Sequence, residues 1–282
     1  MPALSLVVCV HLQRDLLERL LRQSAGCYDD LVVVHDGPDA SGARSVVEAA
    51  GGRFFERPRQ FTHESHWPFA WQECRHDWIL LFDTDEFPSD ELRSWLVAFR
   101  HAPEPDRVSG YRCIWPLWNG VKAVSRRWPS GRLFLIDRRS IRYFGMGEQR
   151  PIPDLRYVDL PYILCHQPLR RSYGIRNIIF RKSARHWQTR IATSLLGTPL
   201  DLPLWRWSSN VWPEDWEQLR RHPLRTGLYR QIRWPLRSLR DQWKLEKRFF
   251  PTAALTGPLH HLMIGLAYWR LRRKSRSGSA KT

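Results

Sequence analysis

Short apolar runs alternate along the first half of the chain with segments whose apolar positions recur at helical spacing. Leu4 to Val10 is a continuous run of strand length, and Asp15 to Gln23 places Leu16, Leu17, Leu20 and Leu21 on one side of a helix. Leu31 to Val34 predicts a second strand, and Ala43 to Ala50 a second helix that ends at Gly51 and Gly52. A short strand near Phe54, a helix around Phe69 to Cys74 and a strand from Trp78 to Phe82 follow. Alternation of this kind predicts an α/β domain, a mostly parallel sheet flanked by helices on both faces. Such sheets bind ligands beyond the carboxyl ends of their strands, so the residues after Val10, Val34 and Phe82 are the first candidates for a site.

At 282 residues and 43% hydrophobic, the chain can bury the core of one large or two small domains, which excludes a wholly disordered protein. Its net charge of +17 calls for an anionic partner: a nucleic acid, a nucleotide or an acidic membrane. The charge is uneven. Up to residue 202, 28 Lys/Arg face 23 Asp/Glu; from residue 203 onward, 17 face 5, and seven of the 15 tryptophans fall there. This shift predicts a boundary near Leu202, with one domain over 1–202 and a basic, Trp-rich helical region over 203–282. The five cysteines are widely spaced and contain no C-x-x-C pair, so a reducing compartment is expected. The first ten residues lack a basic leader and read as a buried strand. The longest apolar stretch near the end, Leu255 to Trp269, is interrupted by His260 and His261 and falls short of the roughly 18 to 20 residues a span requires. These features predict a cytoplasmic chain, dissolved or lying on the inner face of a plasma membrane.

The strongest chemical signal is "WILLFDTDEF", an apolar strand that runs into Asp83, Asp85 and Glu86. Strand alternation puts Asp83 and Asp85 on one side, and hard oxygen ligands there suit Mg²⁺ or Mn²⁺ bridging a diphosphate. A polar turn before a helix capped by Ser89 or Asp90 gives the same pattern. In "LVVVHDGPDASG", Asp36 can accept from a uracil imide or a sugar hydroxyl while Gly37 lets the chain turn close to a ligand. An Asx-type turn reads alike.

Together, "SLVVCVHLQRDLLERLL", "DDLVVVHDGPDASG" and "HDWILLFDTDEF" resemble the family-2 glycosyltransferases with a GT-A fold. The resemblance covers roughly the first 165 residues. Within that family, "SHWPFAWQECRHDWILLFDTDEFPSDEL" looks most like bacterial enzymes of lipopolysaccharide-core assembly. His35 and Asp36 stand where the family often has two acids, and Gly147 stands at a usual His position in "GRLFLIDRRSIRYFGMGEQRP". The resemblance implies inverting transfer from a nucleotide sugar, with a UDP-sugar expected, to a glycan or glycolipid acceptor. It implies donor contacts at Cys9, His11, Asp36, Gly37, Asp83 and Arg132, and a metal held by Asp83, Asp85 and His166. Glu148 is implied as the base, with Asp154 as the second candidate. Arg138 and Arg139 are further candidates for neutralising phosphate, whereas His63 and His66 are weak ligand candidates.

In the basic tail, Leu259, Leu262, Met263, Leu266 and Trp269 form a stripe at helical spacing that ends in Arg270, Arg272, Arg273 and Lys274. This is the pattern of an interfacial helix, and each basic residue contributes about 1 kcal/mol at an anionic leaflet. An ordinary packed C-terminal helix has the same periodicity. Two competing functions remain, a single-strand nucleic-acid binder and a nucleotide-binding pseudoenzyme. No nucleic-acid-binding motif appears, and the charge lies outside the segment that carries the carboxylates.

Overall fold

The computed structural model describes residues 1–116, 131–167, 175–246 and 251–279. The chain divides into two compact units, Met1–Leu169 with Pro203–Trp207, and Arg170–Leu202 with Ser208–Thr282.

The first unit begins with β1 (Leu4–Val10), α1 (Arg14–Gln23), β2 (Asp30–Asp36), α2 (Ala43–Ala49), β3 (Arg53–Arg57), α3 (Trp67–Glu73) and β4 (Trp78–Leu81). It continues with β5 (Glu86–Pro88), α4 (Asp90–His101), β6 (Val108–Ile114), β7 (Arg132–Asp137), β8 (Ile141–Phe144), β9 (Ile152–Pro153) and β10 (Arg156–His166). The main sheet has the order β3-β2-β1-β4-β7-β6-β10-β5. Strands β3, β2, β1 and β4 are parallel, as the apolar runs predict, and β7 runs antiparallel to both β4 and β6. All seven residues of β2 are buried, as a central parallel strand covered on both faces requires.

Alternation along the strands builds two cores. Leu6, Val8, Val33 and Leu80 point to α1, α2 and α4, where they meet Leu17, Leu20, Val47 and Leu96. Val7, Val32, Val34 and Ile79 point the other way, toward Trp67, Ala70 and Trp71 of α3 and Tyr143 of β8. Gly51, just past α2, takes the left-handed φ of 71° that this helix end needs. Ser89 caps α4, its hydroxyl accepting from the Leu92 N–H at 3.3 Å. The main sheet's first strand order reverses between β1 and β4, so the carboxyl ends of β1, β2 and β4 flank the switch point where such sheets bind ligands.

The second unit is helical: α5 (Ile175–Phe180), α6 (Lys182–Ser194), α7 (Glu214–Arg221), α8 (Pro223–Glu246) and α9 (Pro251–Ser279). Between its two segments, β11 (Leu204–Trp205) pairs with β8 of the first unit's small sheet. Close approach of α9 to α8 depends on small residues. A Cβ at Gly265 would stand 2.8 Å from the Pro223 carbonyl oxygen, and one at Gly227 would stand 3.0 Å from Leu262 Cδ1. The stripe expected to lie on a membrane is therefore drawn into the unit: Leu262 covers Gly227, Ile264 and Tyr268 are buried, and Leu259, Met263, Leu266 and Trp269 are half-buried. No helix among the described residues is long and apolar enough to cross a membrane. The five cysteines are unbridged.

Candidate active site

The turn after β4 governs where the carboxylates go. Strand β4 stops at Leu81, and a turn closed by Glu86 N–H to the Asp83 carbonyl, 2.9 Å, reverses the chain into β5. Strand alternation no longer applies across Asp83, Thr84 and Asp85, so the two aspartates acquire different neighbours instead of one shared side. Asp83 Oδ2 is 3.1 Å from Arg132 Nη2, and its Oδ1 is 3.6 Å from His63 Nε2. Asp85 Oδ2 is 3.5 Å from Nε2 of His166, the last residue of β10.

Glu86 anchors this arrangement from below. Its side chain is fully buried; Oε1 accepts from Arg132 Nε at 2.9 Å, and Oε2 accepts from Arg132 Nη2 at 3.2 Å and from the Asp83 N–H at 2.8 Å. Burial raises the Glu86 carboxyl against the opposing pull of Arg132. Burial also lifts the Asp83 carboxyl, but His63 and Arg132 outweigh it and leave Asp83 below the usual range. Arg132 is thus a structural counter-ion for two acids, with Trp115 5.8 Å from its guanidinium.

Asp36 ends β2 and turns inward. Its Oδ1 accepts from Gln60 N–H at 2.5 Å and faces His66 Nε2 at 2.9 Å, while Oδ2 accepts from Phe61 N–H at 3.1 Å. Burial pushes this carboxyl up, and the bonds from His66, Gln60 and Phe61 overcome it, so the group stays low and ionised. Gly37 follows with φ 99°, its N–H on the Arg57 carbonyl at 2.8 Å. His11 Nδ1 is 2.8 Å from the Asp36 carbonyl, and burial lowers its basicity. Cys9 is half-buried, and its thiol is pushed well up by burial and by Asp83, Glu64 and Asp36, so it packs as a neutral group.

Glu148 occupies a left-handed turn at φ 64°, and its N–H donates to Glu64 Oε1 at 3.2 Å. Glu64 Oε2 lies 3.6 Å from His63 Nε2, which completes a path Glu148–Glu64–His63–Asp83 across the site. The surrounding protein and the Glu64 charge raise the Glu148 carboxyl to about 7. Glu148 is itself exposed, so water screens part of this effect.

Several candidates lie elsewhere. Asp154 is held by Arg142 at 2.9 Å and Arg206 at 3.0 Å, a pairing that occupies the carboxylate proposed as second base. Arg138 binds Asp77 at 2.9 Å and the Cys74 carbonyl at 3.1 Å, closing the end of α3. Arg139 pairs with Asp137 and Glu104 at 2.9 and 2.6 Å. Both arginines serve the fold in place of the phosphate role expected of them. Conversely, Glu64 enters the site without having been singled out for it, His63 lies beside Asp83 although it was only a weak ligand candidate, and Glu86, read as one of three acids at the strand exit, is the buried anchor. The acid in "HES" before α3 was the only trace of Glu64 in the sequence.

Among the described residues, no cluster of three or more His, Cys, Asp and Glu is placed to hold a metal ion. The pair Asp85 and His166 nevertheless fits a divalent cation. Their 3.5 Å separation is long for a hydrogen bond, the His166 side chain is only 4% exposed, and its ring stacks on Trp115 at 4.2 Å. One carboxylate oxygen and one imidazole nitrogen suit Mn²⁺ better than Mg²⁺ and leave coordination positions for phosphate and water. Asp83, held by Arg132, is less suited.

No protein-family model matches the chain, and no curated protein matches it. Among solved structures, it is similar to S. aureus TarS residues 1–349 in complex with UDP-GlcNAc: identity 13%, TM-score 0.47, covering 98% of this chain and 92% of that one. The mannosyltransferase PcManGT from Pyrobaculum calidifontis, in complex with GDP-Man and Mn²⁺, gives 14% identity and a TM-score of 0.46, with coverage of 94% and 86%. Against the S. aureus TarS crystal structure, identity is 13% and the TM-score 0.43; the match takes in 94% of this chain, which spans only 54% of that one.

Proposed function

We propose that the first unit is an inverting glycosyltransferase that moves a sugar from a nucleotide-sugar donor, with a UDP-sugar expected, to a hydroxyl of a lipid-linked saccharide or other cell-envelope glycan. The observation that carries this reading is that Asp36 ends β2, that Asp83 and Asp85 follow β4 with Asp85 beside His166, and that His63 and Glu64 lie between Asp83 and the Glu148 backbone. An array of acids at a sheet switch point suits a diphosphate only with a cation, and Asp85 with His166 would hold it. When bound, Mn²⁺ or Mg²⁺ neutralises the diphosphate as it leaves.

The chain's own residues do the rest. Arg132 fixes the Asp83 turn and keeps Glu86 charged-paired beneath it. Asp36 orders the Gln60–Phe61 backbone that borders the donor side. Glu148, poised near neutrality, accepts the proton of the acceptor hydroxyl as it attacks the anomeric carbon from the face opposite the leaving group. A family-2 enzyme of lipopolysaccharide type, peripheral on the inner face of a plasma membrane, agrees with the residues that resemble that family and with the basic second unit.

The test is a hydrolysis screen of purified protein against a panel of UDP-, GDP- and other nucleotide sugars, with Mn²⁺, Mg²⁺ or a chelator. Metal-dependent release of nucleotide from one donor supports the reading. Asp85→Ala should abolish metal-dependent binding of nucleoside diphosphate in calorimetry while leaving the fold intact. Unchanged affinity in that variant refutes the cation assignment.

A further inference from the structure

Helix α8 carries its polarity inside out. Its buried positions include Thr226, Gly227, Arg230 and Ser238, whereas Leu228, Tyr229, Ile232, Leu236 and Trp243 are exposed by 58%, 54%, 66%, 63% and 48%. At 3.6 residues per turn these five side chains share a stripe about 100° wide. Arg225, Arg233, Arg237 and Arg240 are exposed among and beside them, and the sequence from Pro223 to Arg240 contains no Asp or Glu. A contiguous outward stripe of large apolar residues on a folded unit is a docking surface.

The charges select the occupant. Over α8, six Lys/Arg stand against two acids, Asp241 and Glu246, so a second copy of this chain would bring like charge against like charge and a symmetric contact is disfavoured. Single-stranded nucleic acid engages aromatic faces, and the centre of this stripe is aliphatic. An anionic bilayer satisfies both halves: acyl chains accept Leu228, Ile232 and Leu236, lipid phosphates pair with the arginines, and Tyr229 and Trp243 are residues that favour the headgroup boundary. We propose that α8 is the membrane-docking face of this protein, lying in the headgroup layer of an anionic bilayer. The proposal deepens the membrane-surface part of the function above, and rests on that reading only for what the docking serves.

The experiment is co-sedimentation of the full chain with vesicles of phosphatidylcholine, with and without about 30% phosphatidylglycerol. Wild type should bind the anionic vesicles. Ile232→Ser with Leu236→Ser should weaken binding about tenfold or more even at low salt, with unchanged circular dichroism and melting, because both side chains already face water. A control pair on the other helix, Leu259→Ala with Met263→Ala, should retain binding if folded. Absence of vesicle binding by wild type overturns the proposal, as does equal binding by the α8 variant. A wild-type dimer converted to monomer by the α8 substitutions would assign the face to a second copy and overturn it too. So would tight binding of a single-stranded oligonucleotide that vesicles do not displace. Donor hydrolysis by the wild-type preparation separates the two readings: absent vesicle binding by wild type with intact hydrolysis overturns only the docking face, and absent hydrolysis with intact vesicle binding only the transferase.

Discussion

Acidification should destabilise the second unit through one buried histidine. His261 is 8% exposed, and its Nδ1 is 2.9 Å from Nη1 of Arg230, itself 4% exposed. Arg230 can only donate, so Nδ1 accepts, and the neutral ring carries its proton on Nε2. Burial, reinforced by Arg230 and His260, lowers His261 to about 3 from an ordinary 6.5. The unfolded chain therefore takes up a proton below pH 6.5 that the folded chain refuses, and stability falls as pH drops through that value toward 3. Between pH 7 and pH 5 the linkage amounts to about 2 kcal/mol from His261 alone. His260, lowered by burial to about 4, adds at most a similar amount. For a chain of this size, each kcal/mol shifts the melting temperature by about 2 to 4 °C. Urea unfolding followed by tryptophan fluorescence at pH 7, 6 and 5 measures the effect, and His261→Gln isolates it, since the amide can accept from Arg230 but does not titrate. The variant will be weaker at pH 7, because His261 also packs on Trp234 and Trp216 at ring distances of 4.8 and 5.7 Å. Its loss between pH 7 and 5 should nonetheless be about 2 kcal/mol smaller than that of wild type. Parallel pH dependence in the two proteins would refute the reasoning.

Three further outcomes concern the first unit. Arg132→Gln removes the cation from a fully buried Glu86 and should cost about 3 to 5 kcal/mol, much of which Arg132→Gln with Glu86→Gln recovers; additive losses in urea unfolding would contradict the pairing. Asp36→Ala strands the Gln60 and Phe61 N–H groups, so it should lower stability by about 1 to 3 kcal/mol and raise the donor KM more than it lowers kcat. A collapse of kcat with donor affinity intact would remove Asp36 from the donor side. Glu148→Gln should reduce turnover by about 10² to 10⁴ with donor still bound, and wild-type kcat/KM should fall as pH drops below about 7, where Glu148 is protonated. Near-normal turnover in that variant would move the base to another carboxylate, Glu64 being the neighbour.

The strands that end at the site were legible because buried parallel strands are continuous apolar runs, and Asp36, Asp83 and Asp85 are the first acids after them. Arg132 was named for a donor role, but its partners Asp83 and Glu86 are 49 and 46 residues away, and no local pattern encodes that pairing. The split between Asp83 and Asp85 was hidden for a different reason. Alternation holds only while the strand continues, and the strand stops at Leu81. In the tail, the spacing of Leu259, Leu262, Met263, Leu266 and Trp269 gives the existence of a stripe but not the direction it faces. Gly227 and Gly265 decide that, since they allow the helices to approach where Leu262 and the Pro223 carbonyl stand. The second base candidate, Asp154, could not be discounted until Arg142 and Arg206 were seen to hold it.

Opposed environments assign roles to the remaining acids. Asp36 receives three donors and is held below the usual carboxylate range, so at neutral pH it is an ionised acceptor rather than a proton carrier. Asp83, next to His63 and Arg132, is likewise kept ionised. Glu148 is driven the other way, because the surrounding protein desolvates its charge and Glu64 stands beside it. A carboxylate that balances near neutrality can take a proton, and the Glu148 backbone N–H, on Glu64, fixes its turn beside the Glu64–His63–Asp83 contacts. The same division explains why the chain tolerates so many acids in one place. Arg132, His63 and His66 each face at least one of them, so loss of any of these three cations or imidazoles should disturb the site more than loss of an exposed arginine of the second unit.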